Sequence, residues 1–137
     1  MPKLAELEAG QTITGRDYTP SNVSLFLYNA AIWNAHRIHY DERYATEIEH
    51  HPGVVIDGPL QGDWLAQVVT NWLGDDGQLL EFEYSNRKAS YLGQTLSSGG
   101  EVVSVDSASG EVKLRLFIKD EAGEVTSPGS AVVRVAR

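Results

Sequence analysis

The chain has 137 residues, of which 42% are hydrophobic and 22% charged, and its net charge is -8. This length and composition predict one folded domain over residues 1–137. The acidic charge argues against a nucleic-acid partner, because phosphate recognition needs clusters of Lys and Arg. With no cysteine, disulfides and thiolate chemistry are excluded. No apolar run approaches the roughly 18 residues of a membrane span, so we expect a cytoplasmic protein without a membrane partner.

The first predicted elements are a strand and a helix. The strand runs from Thr12 to Asp17, and Thr19 or Ser21 can cap the helix that follows. Apolar residues at helical spacing predict one buried face of this helix, formed by Val23, Phe26, Leu27, Ala30 and Ala31. The helix should end near Trp33, where a polar segment begins.

The polar segment at residues 33–41 reads "WNAHRIHYD". A short helix is predicted over residues 41–49, with Asp41 as its cap. The proline and glycine of "HHPG" then end this helix. The histidines and carboxylate of the polar segment permit a metal site, but their spacing does not match the usual zinc signatures, so we expect no metal. Acid–base chemistry by a histidine is a second interpretation. Polar residues that are simply hydrogen-bonded in a loop between helices are an equally good third.

The second half of the chain predicts a long helix and then a sheet. Asp57 is expected to cap an apolar helix from Pro59 to Leu73 that ends at Gly74. After it the apolar period changes from 3.6 to 2, with turns at 106–110 and 120–123. The residues predicted to face the core are Leu80, Phe82, Tyr84, Val103, Val105, Val112, Leu114, Leu116, Ile118, Ala131, Val133 and Val135. The pattern is typical of an α+β fold in which an antiparallel sheet packs on one long helix.

The segment "WNAHRIHYDERYA" resembles the hydratase motif of the MaoC-like, (R)-specific enoyl-CoA hydratase and dehydratase family. That motif reads Asp, any residue, Asn, Pro, an aliphatic residue, His, five residues, then Ala or Ser. Asn34 falls on the aspartate of the motif, His39 on the histidine and Ala45 on the final small residue. His36 and Arg37 fall on the motif's asparagine and proline.

Together with "HPGVVIDGPLQ", the segment is closer to a branch resembling mesaconyl- and itaconyl-CoA hydratases and fungal-type mitochondrial hydroxyacyl dehydratases. Members of that branch commonly read "N-x-H-R-I-H-Y-D" and "P-G-L-V-V-H-G-P-L". The resemblance covers roughly residues 10–96 by motif. It implies a hotdog fold, a sheet wrapped around a central helix, in a homodimer or a heterodimer of two hotdog chains.

The resemblance also implies hydration of an α,β-unsaturated acyl thioester, or the reverse dehydration. His39 is the expected general base and Asn34 the residue that positions the water, since an amide can orient water but cannot take its proton. The Gly58 N–H, at the start of the long helix, is the expected donor to the developing oxyanion. Asp57 stands where the family more often has histidine, and helix capping is its favoured role.

Candidate substrate-binding residues are His36, Arg37, Arg87 and Lys88, and the last two are the only adjacent Lys/Arg pair in the sequence. Arg87 and Lys88 are candidates to face the phosphates of coenzyme A, but a solvated strand end is their favoured role, and a structural hydrogen-bond donor is the favoured role of Arg37. No cofactor is expected, because coenzyme A or an acyl carrier protein is part of the substrate. The alternative function is a non-catalytic or half-catalytic subunit of a heteromeric hotdog hydratase, motivated by Asn34 at the aspartate position.

Overall fold

A computed structural model describes residues 1–136 and contains five strands and two α-helices of more than two turns within that range. The strands are β1 (Thr12–Tyr18), β2 (Gln78–Tyr84), β3 (Leu96–Asp106), β4 (Glu111–Lys119) and β5 (Val125–Arg134). The helices are α1 (Asn22–Ala31) and α2 (Gly58–Leu73). Shorter turns are the 3-10 segments Leu4–Glu6 and Arg37–His39 and the π-helix Tyr44–Ile48.

The five strands form one antiparallel sheet in the order β1-β3-β4-β5-β2. α2 contacts all five strands, and its buried residues include Trp64, Leu65, Val68 and Val69. The alternation predicted for β4 is confirmed, because Val112, Leu114, Leu116 and Ile118 are all buried against the helix. The predicted α+β architecture, a curved sheet around one central helix, is therefore the observed one.

Three predictions about buried faces are wrong. In β2, Tyr84 is 38% exposed, and Leu79 packs against the core in place of Leu80. The register of this strand shifts between Leu79 and Glu81.

The other two are in β3 and α1. In β3, Val103 is 43% exposed while Val102 is buried, because a register shift between Val102 and Ser104 changes which side chains face inward. In α1, Val23, Phe26 and Leu27 are exposed, and the inward-facing side chains are Leu25 and Asn29. Periodicity identified the helix but not the face that meets the rest of the molecule.

The segment between the π-helix and α2 is irregular but firmly held. Val54 to Ile56 form no strand, only an isolated bridge between Val55 and Tyr91. The Val55 N–H donates to Ile38 O at 2.9 Å, and the Ile56 N–H donates to Ser90 O at 2.8 Å. Both bonds fix the chain just before α2. None of the helices in residues 1–136 is long and apolar enough to cross a membrane.

Candidate active site

His39 lies at the end of the 3-10 turn that follows α1, with a side chain only 11% exposed. Its Nδ1 is 2.8 Å from the carbonyl oxygen of Val55. Because a carbonyl oxygen can only accept, Nδ1 carries the proton of the neutral ring, and Nε2 keeps its lone pair. The main chain before α2 therefore selects the tautomer in which Nε2 can act as a base.

Asp57 faces that lone pair. Its side chain is fully buried, and its Oδ2 lies 3.6 Å from His39 Nε2. At this separation the two atoms do not form a direct hydrogen bond, but both can contact one water molecule placed beside them. Oδ2 has no hydrogen-bond partner among residues 1–136. The other oxygen, Oδ1, accepts a hydrogen bond of 3.0 Å from Nδ2 of Asn29.

The prediction that Asp57 caps α2 is wrong. It occupies the N-cap position, but its side chain accepts no hydrogen bond from the first turn of the helix. The carboxylate instead turns toward α1 and His39. Sequence reasoning ranked capping above catalysis for Asp57, although its replacement of the histidine common in similar sequences was a signal. Asn29 was missed; the available signal was an amide in the apolar stretch "FLYNAAI".

Burial raises the pKa of the Asp57 carboxyl, and the hydrogen bond from Asn29 and the nearby His39 only partly oppose this effect. The protonated acid is therefore more accessible near neutral pH than for an exposed aspartate. A buried carboxyl that can hold a proton, next to an imidazole that can accept one, is an arrangement suited to acid–base chemistry.

Asn34, the predicted water-positioning residue, is half-buried in the loop after α1. Its Oδ1 accepts a hydrogen bond of 3.1 Å from the backbone N–H of His36, which shapes the turn leading to His39. No hydrogen bond joins its side chain to His39 within the described part of the chain. Its amide lines a small cavity of about 250 Å³ together with Asn29 and aromatic side chains. A role in holding water stays a prediction.

Gly58 is the first residue of α2, and its N–H donates no hydrogen bond to any atom of residues 1–136. A free N–H at the start of a 16-residue helix is a ready donor to negative charge. The side chain of Asn86 packs against Gly58 so closely that a Cβ at this position would lie 2.3 Å from Asn86 Nδ2. Asn86 Oδ1 in turn accepts from Ser127 Oγ at 2.9 Å.

Arg37 of the polar segment has structural partners. Arg37 donates to Asp41 Oδ2 from Nε at 3.0 Å and from Nη2 at 2.7 Å, and its guanidinium lies over the ring of Tyr44. Asp41 Oδ1 accepts from the Tyr44 N–H at 3.1 Å, so the predicted cap is confirmed. His36 is exposed, with its ring edge-on to that of His39 at 5.8 Å between centroids. It is the only one of these residues in contact with the pair.

Arg87 and Lys88 follow β2 and are held to the start of β5 through their backbone N–H groups, which donate to Thr126 O. Lys88 Nζ forms ion pairs with Asp120 and Glu124. Its positive charge is thus already neutralised by two carboxylates. Arg87 is exposed, and its guanidinium donates a long hydrogen bond of 3.4 Å from Nε to Ser85 Oγ. Of the two, Arg87 is freer to bind a phosphate.

Solved structures with this architecture show that the fold is the hotdog fold. An (R)-hydratase from A. caviae, involved in PHA biosynthesis, superimposes with a TM-score of 0.83 at 17% identity, over 96% of this chain and 98% of its own. A MaoC-like dehydratase gives a TM-score of 0.89 at 20% identity, over 98% of this chain and 42% of its own. The ChsH1-ChsH2 complex from Mycobacterium tuberculosis gives 0.82 at 13% identity, covering 94% of this chain and 98% of the matched chain. Neighbours with this fold therefore include complexes of unlike chains.

The sequence identifies the family within this fold. Residues 3–92 match the family model for hydroxyacyl-thioester dehydratase type 2, and the chain belongs to that family. It is 42% identical over 59 residues to a mesaconyl-C(4)-CoA hydratase of Chloroflexus aurantiacus, 43% of this chain and 21% of that protein. It is 44% identical over 43 residues to the mitochondrial hydroxyacyl-thioester dehydratase type 2 of Schizosaccharomyces pombe, 31% of this chain and 14% of that protein. The matches thus span less than a quarter of either relative, both of which are named as hydro-lyases.

Proposed function

We propose that this protein is a hydro-lyase that adds water to an α,β-unsaturated acyl thioester, giving the 3-hydroxyacyl thioester, or catalyses the reverse dehydration. The observation that carries the proposal is the buried pair of His39 Nε2 and Asp57 Oδ2, 3.6 Å apart, at the start of α2. Membership of the dehydratase family supports the reaction class. The names of the two relatives support coenzyme A and hydroxyacyl thioesters as the substrate type.

In the hydration direction, His39 Nε2 takes a proton from water as the water oxygen forms a bond to C3 of the substrate. The electrons of the C2–C3 double bond shift toward C2 and the thioester carbonyl, giving an enolate whose oxygen accepts from the Gly58 N–H. The protonated Asp57 carboxyl then gives its proton to C2, which restores the carbonyl. Transfer of the proton from His39 to Asp57 returns the pair to its starting state, and the net change is the addition of one water.

This mechanism revises the sequence-based hypothesis that His39 handles the proton alone. Asp57 takes the role that the motif's aspartate would otherwise fill, but from the start of α2 and not from the loop that holds Asn34. A neutral amide at position 34 is therefore compatible with full activity. The alternative of a half-catalytic subunit loses its main motivation, since a carboxyl and an imidazole lie together in one chain.

The test is turnover of purified protein with crotonyl-CoA and with longer, branched and dicarboxylic enoyl-CoAs, followed by the absorbance of the conjugated thioester. We expect His39→Ala to lower kcat/KM by about 100- to 10,000-fold. His50→Asn is the matched control, because it removes an exposed imidazole that takes no part in the site, and its activity should stay within about threefold of wild type. Absence of turnover on every substrate, or equal turnover by His39→Ala, would exclude the proposal.

The partner and the location remain proposals of the same kind. We expect a homodimer or a pair of unlike hotdog chains, since solved neighbours include complexes such as ChsH1-ChsH2 and HadBC. Native mass spectrometry of active protein distinguishes the two assemblies. A cytoplasmic location stays a prediction that cell fractionation can test, and the mitochondrial relative from Schizosaccharomyces pombe is the reason to test it.

A further inference from the structure

Asn29 is a polar side chain on the inward face of α1, and it is only 3% exposed. Its Nδ2 donates two hydrogen bonds, one of 2.8 Å to the backbone oxygen of Leu25 and one of 3.0 Å to Asp57 Oδ1. Both hydrogens of the amide are therefore used. The first bond fixes the side chain on its own helix, and the second joins α1 to the residue that precedes α2.

The network around Asn29 contains two buried acceptors without partners. Asn29 Oδ1 and Asp57 Oδ2 both lack a hydrogen bond within residues 1–136. A buried acceptor left unpaired costs stability, whereas an apolar pair of the same shape would cost little. The arrangement is thus poorly explained by packing alone. Buried polar groups without hydrogen-bond partners are typical of functional sites, where a destabilising arrangement is kept because the reaction needs it.

The bond from Asn29 also explains why Asp57 does not cap its helix. An aspartate at the N-cap position normally accepts from the backbone N–H two or three residues later, and here only Leu60 offers one, because residue 59 is proline. Asn29 donates to the same carboxylate from α1. Once Oδ1 is bound to Asn29, Oδ2 is directed toward His39 Nε2.

We propose that Asn29 is a positioning residue that diverts Asp57 from helix capping to acid–base chemistry. The inference rests on the proposed function, in which Asp57 exchanges a proton with the substrate. Asn29 itself touches no reacting atom. It acts by holding one oxygen of the carboxyl so that the other stays beside His39.

A double-mutant cycle on kcat/KM with the best enoyl-CoA substrate tests this role. Asn29→Ala should lower kcat by about 10- to 100-fold with KM within about twofold, because misplacing a catalytic group affects the chemical step. In an Asp57→Asn background the same change should cost less than about twofold, since the carboxyl it positions is gone. An equal loss in both backgrounds would show a general structural role and overturn the proposal.

Asn29→Leu provides a second variant that keeps the buried volume and removes the donors, in case the alanine variant folds poorly. Asn22→Leu is the matched control on the same helix, because it makes the same change at an exposed asparagine in the first turn of α1. We expect Asn29→Leu to behave as Asn29→Ala does and Asn22→Leu to retain wild-type kcat within about twofold. A folded Asn29→Leu variant with wild-type kcat would overturn the proposal.

Crystal structures of wild type and Asn29→Leu give a readout that does not depend on activity. In the variant, the Asp57 carboxylate should leave His39 and accept a hydrogen bond from the Leu60 N–H. An unmoved Asp57 would overturn the positioning role. If instead wild type turns over no enoyl thioester while Asp57 moves as expected, the proposed function fails and the structural role of Asn29 stands.

Discussion

Asp41 and Asp57 each stand immediately before a helical segment, and their sequences suggest the same role, yet the structure uses them differently. Asp41 lies at the surface, caps the turn at Tyr44 and binds Arg37, and these donors hold the pKa of its carboxyl below its usual range. Asp57 is buried, forms no cap, and burial raises its pKa. The contrast shows that a carboxyl group has a raised pKa, suited to proton transfer, where it lacks solvent and backbone N–H donors.

The largest expected difference between the two regions is in turnover. Asp57→Asn should lower kcat/KM by about 100- to 10,000-fold, because an amide can neither take nor give the proton. Asp41→Asn should leave kcat/KM within about threefold of wild type. Steady-state kinetics of the two variants, with circular dichroism to verify folding, make the comparison. Similar losses in both variants would remove the distinction between the two carboxylates.

Asp57→Asn should lower activity but raise the stability of the fold at alkaline pH. Because the pKa of Asp57 is raised by folding, its contribution to stability is present below the ordinary carboxyl pKa and is lost as the pH rises through the raised value. Asp57→Asn should therefore have a higher free energy of unfolding than wild type at pH 8, and the difference should disappear below the ordinary carboxyl pKa. Urea unfolding at several pH values measures it. A variant less stable than wild type at pH 8 would contradict the expected cost of burying this carboxylate.

Asp41→Asn should be destabilised by a smaller amount, visible as a melting temperature lower by a few degrees at pH 7. The folded-state pKa of Asp41 is lowered, chiefly by the Tyr44 N–H and then by Arg37. Its contribution is therefore present above the ordinary carboxyl pKa and is lost as the pH falls through the lowered value. Thermal melts of this variant and of Asp57→Asn should deviate from wild type in opposite directions at neutral pH and converge in acid. Deviation in the same direction would be the contrary result.

The smallest effect on activity is expected for substitution of Lys88. Like Asp41, Lys88 lies at the surface and already forms ion pairs within the chain. Because Asp120 and Glu124 already neutralise it, Lys88→Met should change KM for an enoyl-CoA by less than about twofold. Arg87→Met is the informative companion, since Arg87 lacks a carboxylate partner among the described residues. A tenfold rise in KM for Lys88→Met would restore the sequence-based hypothesis that it binds the phosphates of coenzyme A.

Features that depend on local period and burial were predictable from the sequence. α2 begins within one residue of its predicted start, and the alternation in β4 matches its buried face. Each of these elements has a single apolar face, and that face packs in the core. The exposed face of α1 was not predictable in this way. Periodicity shows that Phe26 and Leu27 share a face, but it does not show what that face meets.

The site was only half predictable for a related reason. His39 stands out through the motif in which it lies, and the π-helix after Asp41 keeps the expected cap. The role of Asp57 depends on Asn29, which lies 28 positions earlier and approaches only when α1 packs beside the start of α2. The rules for helix caps consider only neighbouring residues, so they predicted that Asp57 caps α2 and did not include a hydrogen bond from a distant residue.

The bond between His39 and residue 55 has an evolutionary consequence. Its acceptor is a main-chain oxygen, which every amino acid supplies, so no substitution at Val55 can delete it. The neighbouring N–H groups of residues 55 and 56 anchor the same stretch to Ile38 and Ser90. The acceptor that sets the tautomer of the imidazole therefore does not depend on the side chain at position 55, whereas the carboxyl opposite the imidazole depends on two side chains, Asn29 and Asp57.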